Sequence, residues 1–245
     1  MATLVGSLPI GSADPAAAQE VREYGCTQNI GFFPLPIALL QAQLPAGFTA
    51  LSADPAGALG VVFVANLECA DVVVDGRSSG PARESGTGIV VAPPPAWSSP
   101  GVDTYVIATF ANTEHAVAKA FRQWGIGGHG DVDASNLETP AASIGRASGT
   151  SAAMAFTMVT ATEGAPAPIA AAHVRAFGVQ RGEVVRVVDL LNSPATGRGG
   201  PPGGEGVPGQ ATIVFHPGPY DVPLLQGFAQ HAVWEGLALR WDVVG

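Results

Sequence analysis

Between Asp103 and His129 the chain reads DTYVIATFANTEHAVAKAFRQWGIGGH, and no other stretch restricts the fold as much. Tyr105, Ile107 and Thr109 alternate with Val106, Ala108 and Phe110, so a strand here is apolar on both faces and has to be covered on both. Asn112 or Thr113 can cap a following helix, with Glu114 at the positive end of the helix dipole. Ala116, Val117, Ala120, Phe121 and Trp124 then recur at helical spacing and make one buried stripe. Lys119, the only lysine in the chain, falls off that stripe. Gly125 suits the left-handed position after a helix, and Gly127, Gly128 and Gly130 around His129 let the backbone approach a ligand or another strand closely. That turn is the first place to look for a site.

The remaining segments are mostly β. Residues 21–33 read as a strand or extended arm, and residues 34–44 as a short helix with Ile37, Leu40 and Leu44 on one face, ended by Pro45. Residues 59–67, 71–75, 88–92, 154–162, 172–177, 183–191, 211–215 and 237–243 read as strands, with a turn at Asp75 and Gly76. Residues 131–149 are polar and poorly periodic, residues 192–209 form a Gly/Pro-rich loop, and 224–232 suits a helix or a long loop. Roughly nine strands with two short helices make a β-dominated α+β domain.

Composition narrows the function classes. A 245-residue chain that is 47% hydrophobic and 13% charged is folded, and we expect one domain over 21–245 behind a flexible lead-in of residues 1–20. A net charge of −9 and a single lysine exclude the basic footprint of a nucleic-acid surface and disfavour anionic membranes. No run reaches the roughly 18 apolar residues of a membrane span. The N-terminus lacks a basic n-region, which argues against a signal peptide and for a cytoplasmic protein whose Cys26 and Cys69 are two buried thiols.

The order of segments resembles the acetoacetate decarboxylase-like superfamily from Arg22 onward. REY at Arg22–Tyr24 resembles its opening strand, the helix ending at Leu44–Pro45 its first helix, and ESG at Glu84–Gly86 a strand-leading loop. DTYVIATFANTEHAVAKAFRQWGIGG is similar to its strand, small helix and turn. The resemblance implies an antiparallel β-sandwich or barrel around a central, mostly apolar cavity, often in a homo-oligomer. It places Arg22 and Glu84 on that cavity, with Phe63, Trp124 and Gly128 beside Arg22 on the substrate side. The family's decarboxylases carry adjacent lysines in the turn, one of which forms a Schiff base; here those places hold Gly128 and His129. A second cavity glutamate of the family falls near Val64 and is also missing.

With no amine, the chemistry left is acid/base. Arg22 would clamp an anionic oxygen through its planar fork, as against a plain surface arginine. Glu84 in an apolar cavity would have a raised pKa and act as general acid or base, as against a solvated loop carboxylate. His129 titrates near neutrality and stands where the family keeps a lysine; it can also simply stabilise its turn. Glu114 and His115 read as first-turn helix residues. His129, Asp131 and Asp133 lack a second ligand cluster, and His173, His216 and His231 are scattered, so we expect no metal and no cofactor. The leading expectation is an enzyme acting without a Schiff base on a keto acid, β-dicarbonyl or polyketide-like compound, in a lyase, hydratase or cyclisation step. The alternatives are a non-catalytic binder of hydrophobic acids or ketones, and a hydrolase or metal enzyme on an unrelated β-barrel.

Overall fold

A computed structural model describes residues 20–98, 100–112, 116–126, 128–151, 154–169, 173–180, 183–190, 195–199, 209–216 and 224–243. The strands are β1 (Glu20–Pro36), β2 (Thr49–Ala50), β3 (Leu59–Val74), β4 (Arg77–Ser78), β5 (Ala82–Ala92), β6 (Val102–Ala111), β7 (Gly128–Glu138) and β8 (Ala142–Ser151). They continue as β9 (Ala155–Glu163), β10 (Ala167–Ile169), β11 (His173–Gln180), β12 (Glu183–Leu190), β13 (Ala195–Gly199), β14 (Gln210–Phe215) and β15 (Leu224–Val243). Two short helices, α1 (Ile37–Gln41) and α2 (Ala116–Trp124), complete the described elements.

Hydrogen bonding runs β6-β7-β8-β9-β14-β15-β1-β3-β5, and β5 pairs back onto β6, so nine strands close into a barrel with no free edge. A second path from β6 through β11 and β12 to β15 spans the same wall. Strand β6 serves both paths because Val102–Tyr105 pairs with β11 and Ala108–Phe110 with β7, each in parallel. Its two apolar faces are used as expected. Ala108 and Phe110 join a core to which all nine barrel strands contribute, including Phe33, Val64, Phe156, Met158 and Ile213. Val106 and Ala111 join a second core with Val117, Ala118, Ala120, Phe121 and Trp124 of α2. Gly125 follows α2 with φ +68°, the left-handed stop expected of it, and Asp75 and Gly76 turn β3 into β4 at φ +47° and +79°.

Four expectations fail for physical reasons. The first helix shrinks to five residues because Pro34 and Pro36 belong to the end of β1. Residues 131–149, without apolar periodicity, are β7 and most of β8: the inward positions of β8 are Ser143, Gly145, Ala147 and Gly149, small because large neighbours fill the barrel opposite them. A Cβ at Gly149 would stand 2.4 Å from Cε1 of Phe156, and one at Gly145 2.5 Å from Cγ of Asn29. Residues 224–232 open the 20-residue β15, held between β14 and β1. Lastly, Cys26 and Cys69 stand opposite each other on β1 and β3 and form a disulfide, not two thiols. A closed cysteine pair persists most readily in oxidising surroundings. No described helix is long and apolar enough to cross a membrane.

Candidate active site: a buried carboxyl pair

Glu84 lies on β5 opposite Leu67 of β3 and Ala111 of β6, and is 4% exposed. The side chain beside it is Glu23, 1% exposed, which hydrogen bonds to it. Register alone does not explain how Glu23 arrives there. From Val21 to Pro36, β1 keeps one unbroken pairing with β3, so regular alternation would send Glu23 and Cys26 to opposite faces. Gly25, at φ +59°, turns the strand between them, and the acid and sulfur atoms of Glu23, Cys26 and Cys69 come to lie within 4.8 Å of one another. Sγ of Cys69 is 4.0 Å from Oε2 of Glu23; in a disulfide it has no proton to donate, so this is a packing contact. The same disulfide uses up both sulfurs of the one described cluster of metal-ligating residue types.

Two carboxyls withdrawn from water cannot both ionise. Burial pushes Glu84 up to about 7, a rise moderated by the hydrogen bond from Glu23. Glu23 is raised well above the ordinary range by burial first and by the neighbouring Glu84 charge second, so it keeps its proton and donates it to Glu84. Oε1 of each acid has no hydrogen-bond partner among the described residues. The pair therefore offers one titratable oxygen with a free lone pair at neutral pH, which is what a general base needs. Two residues along β5, a Cβ on Gly86 would meet nothing within 4 Å, so there is open space beside Glu84.

The structure separates the residues expected to converge. Arg22 points to solvent, its side chain 47% exposed, with its guanidinium 3.1 Å from Glu20. Val21 and Glu23 are buried while Arg22 and Tyr24 are exposed, so the REY segment delivers its acid to the interior and not its base. Signal for this existed in the sequence: if Arg22 faces water, alternation forbids Glu23 from doing so. The backbone of His129 pairs with Thr109, and Thr109 with Gly86, which puts the histidine on the row of Gly86, two residues along from that of Glu84 and two strands across. The His129 and Gly128 side-chain positions lie outside the described residues, as do Glu114 and His115. Trp124 is fully buried in the core under α2, packed on Phe121 at 5.9 Å, and Phe63 lies over Gly88, where a Cβ would be 2.9 Å from its ring. Lys119 is exposed on α2. Asp131 and Asp133 are exposed, the latter 3.2 Å from Arg83.

Of the cavities, one of about 320 Å³ is lined by Gln43, Tyr105, Val106, Ile107, Gly125 and Val179, without either glutamate. Its one ionisable group, the Tyr105 hydroxyl, is pushed up by burial and stays neutral at physiological pH. A much smaller hollow of about 10 Å³, bordered by Thr109, Ala111, Ala118, Phe121, Arg122 and Gly130, lies against the strand rows of Gly86 and Glu84. Neither hollow is lined by Glu23 or Glu84; the smaller one is favoured because it lies on the strand rows of Glu84 and Gly86.

No protein-family model and no curated protein matches this chain. Solved structures do. The enduracididine biosynthesis enzyme MppR, solved with HEPES bound, aligns over 100% of this chain and 98% of its own at a TM-score of 0.61 and 12% identity. Acetoacetate decarboxylase from Legionella pneumophila aligns over 98% and 93% at 0.57 and 14%, and an acetoacetate decarboxylase-like enzyme from Sphingomonas wittichii RW1 over the whole of both chains at 0.57 and 10%. The chain has the acetoacetate decarboxylase-like fold. Identities this low carry architecture alone. Within that fold this chain puts a glycine and a histidine where the lysine pair is expected, and Val64, where a second glutamate is expected, is fully buried in the barrel core. A second buried acid is present all the same, on β1 in place of β3.

Proposed function

We propose that this chain is a small-molecule enzyme of the acetoacetate decarboxylase-like fold that moves protons on a carbonyl substrate without forming an imine. The observation that carries the reading is the Glu23–Glu84 pair: buried, sharing a proton, with one free oxygen on each acid. Glu84 takes a proton from carbon next to a carbonyl, and Glu23 stays protonated and holds Glu84 in place. His129, whose backbone lies two residue rows along and two strands across from Glu84, returns or relays the proton. The resulting enolate is the common intermediate of lyase, dehydratase and cyclisation steps on β-dicarbonyl, keto-acid or polyketide-like compounds. The only lysine in the chain, Lys119, is exposed on α2, which supports a path without a Schiff base. One chain carries both acids, so the chemistry needs no second subunit. Entry requires α2 to lift from the sheet, since the hollow at Thr109 and Ala111 holds about one water.

Replacing Glu84 with Gln keeps the shape and removes the base. Turnover of a carbonyl substrate should fall by about 10²- to 10⁴-fold with little change in KM. Equal turnover in the variant would refute the role. Saturable binding of ketones with no product from the unmodified protein would favour a binding protein that has lost its chemistry with its lysine.

A further inference from the structure

The charges around the carboxyl pair point to a narrower substrate class. That narrower class rests on Glu84 being the base, and the arginines near the site limit it. Arg22 is turned outward onto Glu20. Arg83, next to Glu84 in sequence, faces the other way and bridges Glu68 and Asp133, 3.2 Å from each. Arg175 is buried, but both arms are taken by Asp103 at 2.5 and 2.7 Å and it also donates to the carbonyl of Pro100 at 3.1 Å. Arg198 is buried and donates to the carbonyls of Thr139 and Pro140. Arg122 borders the small hollow but is itself exposed, so its charge is screened by water. Among the described residues, then, no buried cation is left to face Glu84, while Glu23 and Glu84 are both buried and the space beside Glu84 at the half-buried Gly86 is open.

We propose that this site accepts uncharged β-dicarbonyl compounds and discriminates against β-keto acids. Charge conservation gives the reason. With Glu84 ionised and Glu23 protonated the site carries one negative charge. When Glu84 removes the proton between two ketone carbonyls, the C–H bond breaks, an O–H bond forms on Glu84, and the electron pair passes to a carbonyl oxygen. The single negative charge moves from Glu84 to the enolate and the total does not change. A bound carboxylate adds a second negative charge before and throughout that step, where no buried cation among the described residues balances it. Like charges confined at this range disfavour one another by at least about tenfold.

The test pair is 3-methylpentane-2,4-dione and 2-methylacetoacetate, which differ at one end by acetyl against carboxylate. Exchange of the methine proton in D2O, followed by NMR at pH 8 with buffer rates subtracted, should be accelerated at least about tenfold more for the diketone. Glu84→Gln, checked for a native melting curve, should abolish the acceleration. Lowering the pH to 6 should slow exchange of the diketone as Glu84 takes up its proton. Equal or faster exchange of the keto acid, still dependent on Glu84, would overturn the selectivity and leave the base in place. No acceleration of either compound would overturn both.

Discussion

Two buried charged pairs sit on neighbouring strands of this molecule and do opposite things. Asp103 and Arg175 join β6 to β11: opposite in sign, bidentate, with a further bond to a backbone carbonyl and side chains no more than 8% exposed. Glu23 and Glu84 join β1 to the β3–β5 part of the wall: like in sign, each with an oxygen left over, and both pushed toward the protonated form. The first pair is satisfied where it stands and pins a strand. The second is not, and a fold keeps such a cost where it needs a group that gives up and takes back a proton.

Three experiments would break or sharpen this contrast. The largest effect is expected from Asp103→Ala, which strands the Arg175 charge in the interior and should cost about 3–5 kcal/mol in urea unfolding. Replacing Asp103 and Arg175 together by apolar residues should cost much less; equal costs would mean that the pair does not act as a unit. Next is the pH dependence of the glutamates. Glu84 ionises near its ordinary 4.5 when unfolded and at about 7 when folded. The folded state therefore binds more protons between those values. Stability should be fullest below about pH 4.5, fall as pH rises to about 7, and level off for this group above it, by on the order of 3 kcal/mol. The raised Glu23 extends the fall in the same direction. Glu84→Gln should flatten that window and stabilise the protein at pH 8; an unchanged slope would show that Glu84 is not buried in solution. The smallest effect belongs to Arg22→Ala, which should leave both the unfolding midpoint and turnover where they were. Loss of activity there, matching that of Glu84→Gln, would mean that the arginine reaches the site during turnover after all.

Much of the frame was legible in the residues. The two-faced apolar run of β6, the stripe on α2, the Gly125 stop and the turn at Asp75 and Gly76 each rest on local chemistry, and each stands as read. Strand β8 was hidden because a crowded barrel interior selects Gly, Ala and Ser, which leave no hydropathy signal. The start of β15 was hidden for a similar reason: Gly227 is required there because a Cβ would fall 1.9 Å from the carbonyl oxygen of Phe32. At the site, Glu84 was expected as a cavity acid by resemblance; the structure buries it beside Glu23, and neither described cavity is lined by it. Arg22 was given the place that Glu23 holds.

The sequence by itself determined a β-rich single wall with one helix laid on it, the absence of an amine at the turn, and Glu84 as the acid to watch. The first follows from short-range periodicity; the missing amine and Glu84 follow from side-chain identity read through the resemblance. Which face each residue of β1 presents was decided only in three dimensions, where the positive φ of Gly25, the Cys26–Cys69 bond and the pairing with β3 turn Glu23 inward and Arg22 out. Alternation tells that neighbours face opposite ways, but only packing tells which way is in.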